Sequence, residues 1–242
     1  MSESVFDRIK ARAALHNKAN GFNRADAIKD IEKRREEAER EQAARFEKQF
    51  KEHELKTAVD RSGILPLHQS CTIANYEAKN QGQAEVKHFA RGYADHFDQN
   101  QGQGFIFSGE SGTGKNHLAA AICNQLIANG KSCLVITVSE LMMNLRKCYS
   151  KHSDMSEDQF FRAMNNYDLL IIDEVGLQRG TTAENLAINQ IVDQRICRVK
   201  PTGMLTNLDA QMMNEVLGVR IMDRMRMNGG RWMPFTWESY RK

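Results

Sequence analysis

Hydrophobic and polar positions change their rhythm near residue 61. Before it, Val5, Phe6, Ile9 and Ala13 recur at helical spacing, and the run closes at Asn20-Gly21, where glycine suits a helix C-terminus. From Phe22 to Ser62 the chain has neither glycine nor proline and is rich in Ala, Glu, Arg, Lys and Gln, which predicts one long, mostly helical segment. Its apolar stripe is thin, with Ile28, Ile31, Ala38, Phe46 and Phe50 as main members, so it buries little by itself. Acid-to-base pairs at i,i+4 support it from the polar side: Asp30–Arg34, Glu36–Arg40, Glu41–Arg45, Glu47–Lys51 and Glu52–Lys56. Two helices without a substantial core predict an appended recognition region, residues 1–60.

Beyond Arg61-Ser62-Gly63-Ile64-Leu65-Pro66 short apolar runs alternate with helical stretches. Strands are predicted at Phe105–Ser108, Cys133–Thr137, Leu169–Asp173, Met204–Thr206 and Trp232–Phe235. Helices are predicted near 83–98, 115–128, 139–149, 157–165, 183–198, 209–217 and 218–227. Strands separated by helices argue for an α/β domain over residues 61–242, a five-stranded parallel sheet flanked by helices.

Composition narrows the class. Apolar residues make up 41% and charged residues 27% of the 242, which affords a packed core. No stretch approaches a membrane-spanning length of uncharged apolar residues, and the N-terminus lacks the continuous apolar run of a secretory signal. Five cysteines, at 71, 123, 133, 148 and 197, form no CxxC pair and are odd in number, as expected of reduced thiols in a cytoplasmic protein. A net charge of +3 excludes a global basic coat for nucleic acid and leaves room for a local groove.

The chemistry concentrates after the first strand, where Gly109-Glu110-Ser111-Gly112-Thr113-Gly114-Lys115 precedes Asn116, His117 and an Ala-rich helix. Strand, GxxxxGK loop and helix in this order form a phosphate cradle. Glycines let successive N–H groups curl around phosphate oxygens, the helix N-terminus adds its dipole, and Lys115 supplies a cation for the β/γ-phosphates. Lys115 is expected to face solvent. Asn116 stands where the general pattern has Ser or Thr for magnesium and offers only a neutral amide oxygen, which predicts weaker metal handling. A second element, Asp168 to Glu174, is a buried strand delivering Asp173 for magnesium and Glu174 for orienting an attacking water. A third strand ends in Asn207, an amide able to sense the γ-phosphate. Arg220 and Arg224 share a helix face opposite Leu217, Ile221 and Met225, so either guanidinium can stabilise developing phosphoryl charge, with Arg224 expected to project outward toward a neighbour.

Together these residues resemble the AAA+ ATPases, and more narrowly the bacterial DnaC-type helicase loaders. The resemblance rests on Ser108 to Ile122, Arg61 to Ile64 with Pro66-Leu67-His68, Ile188 to Asp193, Pro201 to Asn207, Met222 to Arg226 and Trp237 to Arg241. It implies an ATP- and Mg2+-dependent ATPase that engages the hexameric DnaB-type replicative helicase, self-associates on that ring and helps place it on single-stranded DNA. Asn116 becomes a family trait, Asn207 takes the sensor-1 position, Arg224 or Arg220 the finger and Arg241 the sensor-2 arginine. Tyr149, for stacking on bases, and Arg179, for phosphate, are the implied DNA contacts. Two other readings share the core: the DNA-targeting ATPase of an insertion-sequence transposase, and a nucleotide-switched binding protein with little hydrolysis.

Overall fold

The computed structural model describes residues 53–150, 153, 155–177 and 181–240, with Lys10, Arg12, Lys33, Arg40 and Arg45. The chain divides into two units, Met1–Glu54 and Leu55–Lys242. The described residues of the first are helical, and each of the five expected ion pairs has a member outside the described residues.

In the second unit every expected strand and helix forms. The elements are α1 (Gln81–Asp95), β1 (Phe105–Gly109), α2 (Lys115–Ala128), β2 (Cys133–Thr137), α3 (Val138–Lys147), α4 (Glu157–Asn166), β3 (Leu169–Val175), α5 (Thr182–Cys197), β4 (Thr202–Thr206), α6 (Ala210–Leu217), α7 (Val219–Arg226) and β5 (Arg231–Phe235). Local signals explain several boundaries. Asn80, Thr137, Ser156 and Thr181 each accept from the backbone three residues on, and Gln83, Glu140, Gln159 and Glu184 reach back in reciprocal capping boxes. α1 ends earlier than expected, at Asp95, because a separate 3-10 turn, Phe97–Gln99, follows it.

The sheet is parallel throughout, in the order β2-β3-β4-β1-β5. Alternation along each strand divides the core. Phe105, Phe107, Leu169, Ile171 and Leu205 pack under α1 and α2. Ile106, Leu170, Ile172 and Met204 meet α3 to α7 on the other face. Only α2 carries the chain across the first face, from β1 to the far edge at β2. The later crossovers use the second face, so the chain reverses direction beside β1, the place where open α/β sheets form ligand crevices. Both edges are modified. Ser62 O accepts from Val135 N at 2.7 Å along β2, where a Cβ on Gly63 would collide with the Val135 carbonyl. β5 carries Pro234, which has no N–H to offer.

At the N-terminal ends of the strands a fully buried arginine ties the layers together. Arg195 Nε donates to Thr202 Oγ1 at 3.1 Å, and its two terminal nitrogens donate to the carbonyls of Met164, Tyr167, Asp168 and Pro201 at 2.6 to 3.3 Å. Burial lowers its pKa to about 10, which leaves it a cation at neutral pH. No α5 periodicity announces this role; it depends on carbonyls from three other segments. Replacing Arg195 with Leu orphans those carbonyls, and urea denaturation is expected to show a loss of about 3 kcal/mol or more, whereas a residue that merely fills space would cost less.

Candidate functional site

The C-terminal ends of β3, β4 and β1 lie side by side and bring the expected motifs to one cavity of about 650 Å³. Ser111, Gly112, Gly114, Lys115, Asn116 and His117 line it with Asp173, Glu174 and Asn207. Two hydroxyl bonds hold the strand ends in register: Thr206 Oγ1 to Val175 O at 2.7 Å and Ser108 Oγ to Leu208 O at 2.6 Å.

The loop between β1 and α2 is built to leave its amides available. Thr113, fully buried, donates from Oγ1 to Glu110 O at 2.7 Å. The Gly112 carbonyl accepts from Tyr240 N and the Thr113 carbonyl from Trp237 Nε1, both at 2.9 Å. With its carbonyls committed inside the protein, the loop's N–H groups are what it has to offer an anion. α2 adds to this. Its N-cap is Gly114, left-handed at φ 95° and without a side-chain cap, whereas α1, α3, α4, α5 and α6 all begin on a capping side chain. Gly114 also has no room for a Cβ, which would stand 2.8 Å from Tyr76 Cε2.

Lys115 differs from its expected solvent-facing state. It is 6% exposed, and its ammonium donates to the carbonyls of Gly109 and Glu110 and to Asn207 Oδ1 at 3.0 Å. The loop curls tightly enough to bury the lysine stem, and burial lowers its pKa. Asn116 presents its amide nitrogen to Asp173 Oδ2 at 2.8 Å. In this arrangement it is a donor to the expected metal carboxylate, one of two neutral donors that satisfy this half-buried acid. Burial raises the Asp173 pKa against that bond and the one from Glu174 N at 2.7 Å. Glu174 is a non-glycine residue at φ 58°, set in an irregularity of the β3–β4 register between Ile172 and Val175; such strain concentrates at functional positions. His117 turns its ring to Asn75 Oδ1 at 2.9 Å and Thr72 O at 3.2 Å.

The remaining candidates lie elsewhere. Arg220 and Arg224 both pair with Asp193 on α5, Arg220 at 3.2 Å, and neither lines the cavity. Arg224 is the more enclosed, with its side chain 23% exposed against 72% for Arg220, so the expected outward projection belongs to Arg220. The apolar face is as expected: Leu217, Ile221 and Met225 are buried. Tyr149, 61% exposed in the turn after α3, borders a separate groove of about 1170 Å³ with Arg146, Phe161, Leu186 and Arg220. Arg179 and Arg241 lie outside the described residues.

Sequence reading missed one wall of the cavity, formed by Leu67, His68, Asn75, Tyr76, Glu77 and Tyr240. The signal present was Thr72 and Asn75, which cap each other's N–H groups at 2.9 and 3.1 Å in a tight turn.

Comparison with known proteins agrees with this geometry. The family model described as IstB-like ATP binding protein matches residues 25–242. The replicative helicase loader DnaC of Escherichia coli strain K12 is 46% identical over 199 residues, covering 82% of this chain and 80% of that protein. The uncharacterized protein YdaV of the same strain is 40% identical over 241 residues, covering 98% of this chain and 93% of YdaV. Among solved structures, the crystal structure of the DnaC helicase loader superposes with a TM-score of 0.63 at 20% identity, covering 70% of this chain and 99% of the solved one.

Lys115→Ala is expected to weaken nucleotide binding about a hundredfold or more in a calorimetric titration. The Gly109 and Glu110 carbonyls also lose a donor, so denaturant unfolding should register a cost of about 1–2 kcal/mol.

Proposed function

Given that the chain belongs to the IstB-like ATP-binding protein family, we propose that it is an ATP-dependent loader of a hexameric DnaB-type replicative helicase onto single-stranded DNA. The observation that carries this reading is the 46% identity to a replicative helicase loader across four fifths of both chains. The geometry supports it, since the cradle, Asp173, Glu174 and Asn207 converge on one cavity.

In this reading the loop amides and Lys115 hold the phosphates of ATP. Asp173, and Asn116 through its amide oxygen, would hold magnesium, which would screen the phosphate charge. Among the described residues no three His, Cys, Asp or Glu side chains gather in a metal cluster, in keeping with an ion held mostly by phosphates and water. Glu174 orients the attacking water, and Asn207 senses the γ-phosphate through its amide N–H while its Oδ1 accepts from Lys115. Hydrolysis is slow until partners assemble, because the cavity itself contains neither Arg220 nor Arg224; one of them enters the site of an adjoining copy, and Arg241 serves as a further sensor. Residues 1–60 grip the helicase and 61–242 form the ATPase. Tyr149 and Arg179 meet single-stranded DNA by stacking and phosphate contact. The protein works beside the helicase in the cytoplasm.

A second reading, a DNA-targeting ATPase of a transposition system, is favoured by the IstB-like family model. Size-exclusion chromatography with a hexameric replicative helicase separates the two. The full chain is expected to co-elute with helicase in ATP, and a variant lacking residues 1–54 is expected to elute alone. Binding to duplex DNA with no helicase complex would favour the transposition reading instead.

Action on a neighbour's nucleotide predicts complementation. Lys115→Ala and Arg220→Ala/Arg224→Ala proteins should each lack DNA-stimulated turnover, and their mixture should recover a measurable fraction in a phosphate-release assay. No recovery from co-assembled, folded variants would place the arginines in a structural role.

A further inference from the structure

The hydroxyl of Tyr76 is a buried polar group that none of these roles uses. Tyr76 is 3% exposed and lines the nucleotide cavity. Its ring is held edge-on by His117, with centroids 5.5 Å apart, and by Tyr240 at 6.0 Å. Its backbone carbonyl is satisfied by Lys87 Nζ. Its Oη, in contrast, has no hydrogen-bond partner among the described residues. The neighbouring Tyr240 hydroxyl sends its proton to Glu77 O at 2.6 Å. A buried hydroxyl left unpaired is costly, and one on a side chain that lines a ligand cavity has a ready explanation.

Its position says which part of a ligand it would meet. A Cβ built on Gly114 would lie 3.4 Å from Tyr76 Oη, which sets the hydroxyl at the junction of the loop with α2. Loop amides at such a junction cradle the α- and β-phosphates, while the lysine reaches toward the β/γ end. Lys115 shares the Asn207 and Asp173 side of the site, through its hydrogen bond to Asn207 and its attraction to Asp173. Tyr76 has a different set of neighbours, Gly114, His117 and Tyr240. Burial first, and then the nearby Tyr240 hydroxyl, which stands outside hydrogen-bonding geometry, raise the Tyr76 pKa above the ordinary tyrosine range, so the group is a neutral O–H donor at physiological pH.

We propose that the Tyr76 hydroxyl is a nucleotide ligand, donating a hydrogen bond to a non-bridging oxygen of the α-phosphate. The proposal rests on the reading of residues 109–117 as a nucleotide cradle. A contact to the α-phosphate is blind to the γ-phosphate, so Tyr76 holds ATP and ADP alike and contributes to affinity without sensing hydrolysis.

The test is Tyr76→Phe, which removes one oxygen and keeps the ring between His117 and Tyr240. Isothermal titration calorimetry with unlabelled ATP, ADP, 2′-deoxy-ATP and 3′-deoxy-ATP should show about tenfold weaker binding of all four, since a hydrogen bond to a charged acceptor is lost each time. The ligand-free melting temperature of the variant should equal or exceed that of the parent, because the hydroxyl has no partner to lose. Parental affinity in the variant overturns the proposal. A loss that disappears with either deoxy nucleotide overturns the phosphate assignment by placing the contact on the sugar. A lowered ligand-free melting temperature overturns it as well, by revealing a structural partner. Failure of the underlying cradle reading looks different: the parent protein then binds none of the four nucleotides, or Lys115→Ala binds them normally.

Discussion

A loop that is to grip an anion through backbone N–H groups must first place its carbonyls somewhere else. That constraint organises the whole upper end of the sheet. Gly109 and Glu110 give their carbonyls to Lys115, Glu110 also receives Thr113, and residues 237–240 return from β5 to take those of Thr113 and Gly112. The strand order that seats β5 next to β1 makes this return possible. Without it the acceptor side of the loop would need water, and the amides would lose their fixed direction.

Among the described residues the domain buries two cations and treats them in opposite ways. Arg195 is enclosed completely and surrounded by neutral acceptors, a fixed arrangement at the end of the sheet away from the cavity. Lys115 is enclosed by the loop it serves, but its neighbours include Asp173 and Glu110, whose charges offset part of its desolvation. Guanidinium geometry suits the first position, where several carbonyls must be satisfied at once. A single ammonium on a flexible stem suits the second, where the proposed nucleotide reading requires the lysine to trade carbonyl oxygens for phosphate oxygens.

Features written in local periodicity were readable in advance. α2 and β2 fall on the residues expected, and the other strands form where short apolar runs predict them. The cradle was readable too, since its residues are consecutive. What escaped depends on partners far apart in the chain. Tyr240 meets Glu77 across most of the domain, Lys115 meets Asn207 from another strand, and Arg195 gathers carbonyls from α4 and two loops. Arg224 looked outward because its own helix gives it a polar face; Asp193, on α5, draws it in. Nothing in the spacing of α7 encodes that acid.

The two modified sheet edges have a consequence for assembly. Ser62 occupies the hydrogen-bonding side of β2, and Pro234 interrupts that of β5. An incoming strand therefore finds no continuous row of free amides on either side. Copies of the chain cannot stitch their sheets together, and misdirected growth by strand addition is discouraged at both borders. Any contact between copies is left to helices and loops, so the stacking proposed above would leave every strand pairing intact.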